Sequence, residues 1–253
     1  MVDTHAHLFY LKKSLKEVVI NAKKAGLIHI INVAIDIKSG KESLKQANQY
    51  PKFISATMGI HPCDVAGFLD FKTLKKELST GQYVAVGEIG LDYYHMAASK
   101  DEQVECFKKQ LDLAREFNLP AIIHSRESDD DMKSILSEYQ DVKKVLHCFS
   151  SSAEFALSVI NKNTYFSFTG MITFAKRGKV INAVKQIPIE HIMIETDCPY
   201  MNPVGIKGDN EPANVSLILD KIAAVKQLDK QETHTILEKT SKDFFRLNFA
   251  NTK

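Results

Sequence analysis

The sequence predicts a (β/α)8 barrel, an α/β fold in which eight parallel strands alternate with helices. Two observations lead to this prediction. Short apolar runs rich in β-branched residues alternate with amphipathic segments along the chain, and polar side chains of the metal-binding type stand at the ends of those runs. The length of 253 residues agrees, because such a barrel takes roughly 250 residues. We therefore expect a single domain over residues 1–253, with an open doubly wound sheet as the alternative.

The elements follow one another in a regular order. Apolar runs place the strands near residues 2–7, 28–35, 53–60, 82–89, 120–124, 144–149, 164–169 and 191–196. Helical patterns lie near 12–25, 40–50, 70–79, 100–117, 130–138, 152–162, 177–186 and 213–226. The helix after Ser99 has the clearest start, because Ser99 and Glu102 have capping-box spacing. An extra C-terminal helix near 231–247 is expected to pack outside the barrel.

The composition is that of an ordinary globular protein. Hydrophobic residues make up 44% and charged residues 25% of the chain. A formal net charge of +2 is too small to indicate nucleic-acid binding by itself. There is no apolar run of membrane-spanning length and no secretory-signal pattern, so we expect a cytoplasmic protein without a membrane segment. No feature of the sequence indicates an obligate protein partner.

The cysteines do not indicate a disulfide framework. There are four, widely spaced and without a C-x-x-C pair. Cys63, Cys148 and Cys198 each lie beside a candidate site residue. Strand alternation points Cys148 away from the side taken by His147, so we expect all three to be small buried core residues rather than thiolate ligands.

Six side chains are candidate metal ligands. They are four histidines and two carboxylates, each at or just past the end of an apolar run: His5, His7, Glu88, His124, His147 and Asp197. The C-terminal strand ends of a barrel converge on its active site, so these side chains are expected to meet there. Imidazole and carboxylate groups together form metal sites.

Position along each strand supports this interpretation. His5 and His7 are two residues apart, so both side chains lie on one face of the first strand. Glu88 is costly inside an apolar strand unless a cation compensates it, although a structural ion pair is the simpler alternative. Glu88 could bridge metal ions, and Asp197 could accept a proton from a metal-activated water. Glu88 and Asp197 are therefore the candidate catalytic residues. Glu195 is expected one layer deeper, orienting a ligand or forming a buried pair.

Cationic and polar residues near the same strand ends could bind substrate. We expect Arg126 and Lys207 to contact a phosphate-bearing substrate, and His61 either to contact its phosphate or to have a structural role. Asp92, Tyr93 and Tyr94 are expected to line the mouth. A basic cluster after the seventh strand comprises Lys176, Arg177 and Lys179. A charge run is more often just a solvated surface, but these positions lie on the loops that form a barrel's active-site face.

At this point the chain resembles the TatD family of metal-dependent deoxyribonucleases, a group of amidohydrolase-type barrels. The matching stretches occur in order: D-T-H-A-H-L at 3–8, G-I-H-P at 59–62, V-G-E-I-G-L-D-Y-Y at 86–94, P-A-I-I-H-S-R at 120–126, L-H-C-F-S at 146–150, F-T-G at 168–170, E-T-D-C-P-Y at 195–200 and N-E-P-A-N-V at 210–215. The resemblance runs from residue 3 to the final helix.

The resemblance implies a two-metal centre and hydrolysis of DNA phosphodiesters, often from the 3′ end. One metal would be held by His5, His7 and Asp197, the other by His124 and His147, with Glu88 shared. The ions would be Mg²⁺, Mn²⁺ or Zn²⁺. Family members usually carry arginines just before N-E-P. In this chain the corresponding residues 205–209 contain no arginine, and Lys207 is their one basic residue.

Two other functions remain open at the level of sequence. The first is an amidohydrolase-type enzyme that cleaves a small amide, lactone or phosphoester; relatives of that kind often bridge their metals with a carboxylated lysine, where this chain has Glu88. The second is a barrel that binds nucleic acid or a protein without catalysis. Six intact candidate ligands argue against it, because buried polar groups need compensation.

Overall fold

The structure, a computed structural model, describes residues 1–65 and 70–247 and confirms the barrel. The strands are β1 (Val2–Ala6), β2 (His29–Asn32), β3 (Ile54–Met58), β4 (Tyr83–Asp92), β5 (Ala121–Arg126), β6 (Lys144–Leu146), β7 (Thr164–Phe168) and β8 (Ile192–Ile194). The helices are α1 (Leu15–Lys24), α2 (Ile37–Gln49), α3 (Phe71–Leu78), α4 (Lys100–Glu116), α5 (Asp129–Glu138), α6 (Ala153–Val159), α7 (Lys179–Gln186), α8 (Val215–Lys226) and α9 (Lys230–Phe245). Among the described residues, no helix has the length and apolar character needed to cross a membrane.

The eight strands are parallel and pair in sequence order from β1 to β8. The seam between the first and last strands is bridged beyond the end of β8. There the His7 N–H donates to the carbonyl of Cys198 at 2.8 Å, and the Asp197 N–H donates to the carbonyl of His5, also at 2.8 Å. The segments that carry the candidate ligands of β1 and β8 are therefore tied together by their backbones.

Side-chain caps explain where the helices begin. Ser99 and Glu102 form the predicted capping box at the start of α4, with the Ser99 N–H donating to Glu102 Oε2 at 2.8 Å. Ser14, Asp36 and Asp70 cap α1, α2 and α3 through their side-chain oxygens. Such caps satisfy backbone N–H groups that have no partner inside the helix, and so end each strand-to-helix loop at a defined residue.

The barrel interior is apolar towards the N-terminal ends of its strands. Ile31, Ala85, Ile122, Val145 and Met193 belong to one buried cluster, drawn from five different strands. The same cluster contains two aromatic residues of α9, Phe244 and Phe245. The last helix therefore covers the apolar end of the barrel interior, a more specific position than the outside packing expected from its sequence pattern.

Candidate metal centre

All six candidate ligands come together at the C-terminal ends of the strands. Strand alternation places them directly above the apolar interior: His124 is two residues after Ile122, and His147 two residues after Val145. Glu195 and Asp197 follow Met193 along the chain just beyond the end of β8, where Asp197 adopts φ +55. The change from apolar to ionisable side chains along these rows sets the depth of the candidate site, and five of the six ligands are fully buried.

One oxygen of Glu88 faces the first strand. Glu88 Oε2 lies 3.3 Å from His5 Nε2 and 3.8 Å from His7 Nε2. Asp197 Oδ1 lies 3.8 Å and 3.4 Å from the same two nitrogens, which are 3.3 Å apart. These four side chains enclose one common point.

The other oxygen of Glu88 faces a second group of imidazoles. Glu88 Oε1 lies 2.7 Å from His147 Nε2, 3.0 Å from His124 Nδ1 and 3.4 Å from His61 Nε2. His61, a candidate substrate contact, is partly buried, faces Glu88 and also lines the cavity above it. The carboxylate of Glu88 stands between the two groups.

Hydrogen-bond partners fix which nitrogen each neutral imidazole presents. His7 Nδ1 donates to the carbonyl of Val33 at 2.8 Å, which leaves the Nε2 lone pair facing Glu88. His124 Nε2 lies 3.0 Å from Asp92 Oδ2, which leaves the lone pair of Nδ1 towards the cluster. His61 is the reverse case: its Nδ1 accepts the N–H of Cys63 at 3.1 Å, so its Nε2 carries the proton and donates towards Glu88. His7 and His124 are therefore set up as ligands, and His61 as a donor.

Two further buried acidic side chains hold the site in place. Glu195 lies one layer deeper, as expected, with Oε1 accepting the Cys148 N–H at 2.6 Å and lying 3.5 Å from His147 Nδ1. Sequence analysis missed the second, Asp3, which accepts hydrogen bonds from the N–H and hydroxyl of Thr196 at 2.8 and 2.5 Å. Burial raises the pKa of Asp3 to about 8. Its position two residues before His5, on the same strand face, was the available signal.

The central carboxylates are ionised. Burial acts to raise the pKa of Glu88, but electrostatic interactions with His147 and His61 and a hydrogen bond from His147 hold it well below its usual value. Burial also opposes ionisation of Asp197, and its interactions with His7, His5 and His147 together outweigh burial, so that this pKa is lowered. In the described part of the chain, neither carboxylate forms an ion pair with a lysine or arginine. Anionic oxygens and imidazole lone pairs that face each other fit divalent cations.

A cavity of about 770 Å³ opens above these groups. Arg126 lines it and lies 4.0 Å over the ring of Tyr94. The other predicted cationic residues, Lys207 and the cluster Lys176, Arg177 and Lys179, are not among its described lining residues. Much of the wall is apolar instead, formed by Tyr10, Met171, Tyr200 and Met201.

The structure corrects the expectation for two cysteines. Cys63 and Cys148 are only partly buried and line the cavity, whereas Cys198 is fully buried as expected. The alternation argument fails for Cys148 because β6 ends at Leu146 and Cys148 adopts φ +44, which is not an extended conformation.

Comparisons with known proteins agree with this geometry. A family model described as TatD related DNase matches residues 2–246. YabD of Bacillus subtilis, named an uncharacterized metal-dependent hydrolase, is 36% identical over 255 residues, covering 98% of this chain and 100% of that protein. YcfH of Escherichia coli, with the same designation, is 30% identical, covering 98% and 95%.

Solved structures give the same result. The crystal structure of YJJV, a TatD homolog from Escherichia coli, superposes with a TM-score of 0.89 at 26% identity, covering 98% of both chains. The strand order, the buried histidine–carboxylate cluster and the match over residues 2–246 agree, and the chain belongs to the TatD family of metal-dependent hydrolases.

Proposed function

We propose that this protein hydrolyses phosphodiester bonds of DNA with two divalent cations, acting from the 3′ end of the strand. The observation that carries the two-metal proposal is the division of Glu88: one carboxylate oxygen faces His5 and His7, and the other faces His124 and His147. The description of the matching family as TatD related DNase supports DNA as the substrate.

Each group would hold one ion. His5, His7 and Asp197 with Glu88 Oε2 form the first site, and His124 and His147 with Glu88 Oε1 form the second. When bound, the cations supply Lewis-acid activation of a phosphoryl oxygen and of the attacking water. Imidazole-rich donor sets suit Zn²⁺, while carboxylate oxygens suit Mg²⁺ and Mn²⁺, so we include all three ions in the test below.

The protein's own residues have distinct roles in this proposal. Asp197 is ionised, its Oδ1 faces His5 and His7, and it would accept the proton of the attacking water. His61 donates towards Glu88 and offsets its charge, while Asp92 orients His124. The leaving oxygen would take up a proton as the phosphodiester opens to a phosphomonoester and a hydroxyl.

The cavity wall indicates how a nucleotide would be held. Among the described residues, seven of the ten exposed large hydrophobic side chains lie on loops that follow strands: Tyr10, Tyr94, Met96, Met171, Phe174, Tyr200 and Val204. Aromatic side chains bind nucleobases by stacking, whatever the base. We propose that bases contact this apolar rim and that Arg126 contacts a phosphate. Lys207 is then a peripheral contact at most, because it does not line the cavity.

A panel of metals and substrates tests the proposed function. Chelated protein is reloaded with Mg²⁺, Mn²⁺ or Zn²⁺ and assayed on single- and double-stranded DNA, RNA, a small phosphodiester, a lactone and an amide. We expect DNA cleavage with at least one metal, loss of cleavage in Glu88→Gln, and retention in Glu105→Gln, a control carboxylate exposed on α4. Faster turnover of the lactone or amide than of any phosphodiester would contradict the proposal and favour another amidohydrolase-type activity.

A further inference from the structure

A third group of metal-ligating side chains lies at the cavity mouth, outside the two groups around Glu88. Cys63 stands in the short helical turn Pro62–Asp64 after β3, Asp92 ends β4, and His95 follows it in the loop. One ligand atom of each lies within 4.8 Å of the others, and His95 Nδ1 is 2.8 Å from Asp92 Oδ2. A thiol, a carboxylate and an imidazole from two separate loops thus converge on one point.

The backbone holds this arrangement in place. Asp92 Oδ1 accepts the N–H groups of Tyr94 and His95, at 3.0 and 2.8 Å. The buried amide of Gln103 brackets Asp92 from the other side, accepting its N–H at 2.8 Å and donating to its carbonyl at 3.0 Å. Cys63 is held through its N–H to His61. Ligands positioned in advance lose little conformational entropy when an ion binds.

Charge and access also favour a cation. The carboxylates of Asp92 and Asp64 lie near the Cys63 thiol, and burial together with these carboxylates raises the pKa of the thiol to about 11, so that it is neutral without an ion. In the described ranges, neither Asp92 nor Asp64 is ion-paired with a lysine or arginine. The side chain of His95 is 51% exposed and all three residues line the open cavity, so an ion can enter from solvent.

We propose that Cys63, Asp92 and His95 form a third cation site, selective for a thiophilic divalent ion such as Zn²⁺. Three protein ligands with an open position are a known arrangement for zinc, and a thiolate ligand selects against Mg²⁺. On binding, the thiol proton leaves to solvent and the imidazole proton moves from Nδ1 to Nε2, so that Sγ and Nδ1 both present lone pairs. The proposal does not depend on DNA as the substrate.

The third site would be coupled to the metal centre through Asp92. Oδ2 of Asp92 accepts from His95 Nδ1 and also lies 3.0 Å from His124 Nε2. An ion bound to this oxygen competes for the lone pairs that orient His124. Excess Zn²⁺ should therefore slow the hydrolase after the metal centre is already filled, whereas excess Mg²⁺ should not.

Cobalt titration of the whole chelated protein tests the site without reference to activity. A cysteine thiolate bound to Co²⁺ gives an intense charge-transfer absorption in the near ultraviolet, which imidazole and carboxylate ligands do not give. We expect this band in the wild type, bleached by Zn²⁺ but not by Mg²⁺. It should be lost in Cys63→Ser and retained in Cys148→Ser, the matched control, because Cys148 lines the same cavity outside the cluster. His95→Ala, altered at a half-exposed side chain, should weaken cobalt binding at least about tenfold.

The outcomes separate the third site from the metal centre. Co²⁺ bound by histidines and carboxylates at the metal centre should give a weak visible absorption in both the wild type and Cys63→Ser. Absence of this weak absorption from both proteins would contradict the proposed metal centre, but not the third site. The third site is refuted if the wild type shows no charge-transfer band, or if the band survives Cys63→Ser. In the kinetic arm, Cys63→Ser should require at least about tenfold more Zn²⁺ for half-inhibition, and equal inhibition of both proteins would refute the coupling.

Discussion

At the scale of single residues, the candidate centre is organised by what each histidine contacts on its outer side. The carbonyl of Val33 accepts a hydrogen bond from His7, and Asp92 faces the outer nitrogen of His124, so each ring directs a lone pair inward. The backbone N–H of Cys63 donates to His61 Nδ1, so in this ring the nitrogen that faces Glu88 carries the proton. Ligand and donor histidines therefore differ in their outer partners rather than in their distance from Glu88.

Removal of either central charge tests this organisation. Glu88→Gln and Asp197→Asn preserve volume but remove a bridging charge and a proton acceptor, respectively. We expect turnover to fall roughly 10²- to 10⁴-fold for Asp197→Asn, with the thermal midpoint in the presence of metal close to that of the wild type. Single-turnover kinetics and thermal unfolding measure both effects. Near-full turnover of Asp197→Asn with any metal would eliminate its role as the base.

His29, which lies away from the metal centre, is expected to make the free energy of unfolding depend on pH. It is buried at the start of β2, with Nε2 2.8 Å from Ser55 Oγ, and burial lowers its pKa to about 4. The unfolded chain takes up this proton near pH 6.5 and the folded chain only near pH 4, so the unfolded state binds more protons between those values. The free energy of unfolding should therefore fall as pH drops from 6.5 to 4, by up to ~3 kcal/mol from this group.

Urea unfolding at several pH values between 7 and 4 measures this loss. His29→Gln should show a flatter pH dependence than the wild type, because its side chain does not titrate. His234→Gln, which removes a histidine on the outer helix α9, should retain the wild-type slope. Parallel curves for the wild type and His29→Gln would mean that other groups cause the acid sensitivity.

At the scale of elements, strand alternation predicted ligands that lie within strands, as for His124, which stands two residues beyond the buried apolar side chain of Ile122 on the same face. The prediction failed where strands end. β6 stops at Leu146 rather than near residue 149, so alternation misplaced Cys148. β4 continues to Asp92 rather than ending near residue 89, which hid the contact between Asp92 and His124. Strand ends are set by pairing with neighbouring strands, and local sequence carries little information about that pairing.

Gly90 shows how an element places a ligand. It pairs with His124 across β4 and β5 at φ +141, and a Cβ atom there would lie 2.0 Å from the carbonyl oxygen of His124. The absence of a side chain at Gly90 therefore admits the backbone of the neighbouring strand. Gly90→Ala should therefore lower stability by at least ~3 kcal/mol and weaken metal binding at least about tenfold by displacing His124.

Gly81→Ala is the matched control. Gly81 also has a positive φ, of +70, but nothing lies within 4 Å of the position of its Cβ. Gly81→Ala should lower the free energy of unfolding only by the strain of a left-handed alanine, about 1–2 kcal/mol, and should leave metal affinity unchanged. Chemical unfolding and metal titration compare the two variants, and equal metal affinity in both would show that Gly90 does not position His124.

At the scale of the whole molecule, the small net charge of +2 and the residues that line the cavity both favour substrate binding by aromatic stacking over binding by phosphate contacts. The described basic side chains of the cluster Lys176, Arg177 and Lys179 lie off the cavity wall, whereas Tyr10 and Tyr200 form part of it. Binding dominated by phosphate contacts depends steeply on salt, because counterions are released. Binding dominated by stacking on aromatic rings depends on salt less.

This difference yields a prediction about how a strand is held. Tyr200→Ala should raise KM for a single-stranded oligonucleotide roughly 5- to 150-fold, the equivalent of one lost base–aromatic stack of about 1–3 kcal/mol. KM for a small phosphodiester without bases should barely change. The triple variant Lys176→Ala, Arg177→Ala, Lys179→Ala should change neither KM substantially. Leu157→Ala is the control for loss of an exposed apolar side chain, because Leu157 lies on helix α6, and it should leave both KM values unchanged. If the triple variant instead raises KM and flattens its salt dependence while Tyr200→Ala has no effect, the basic cluster binds the strand and the apolar rim does not.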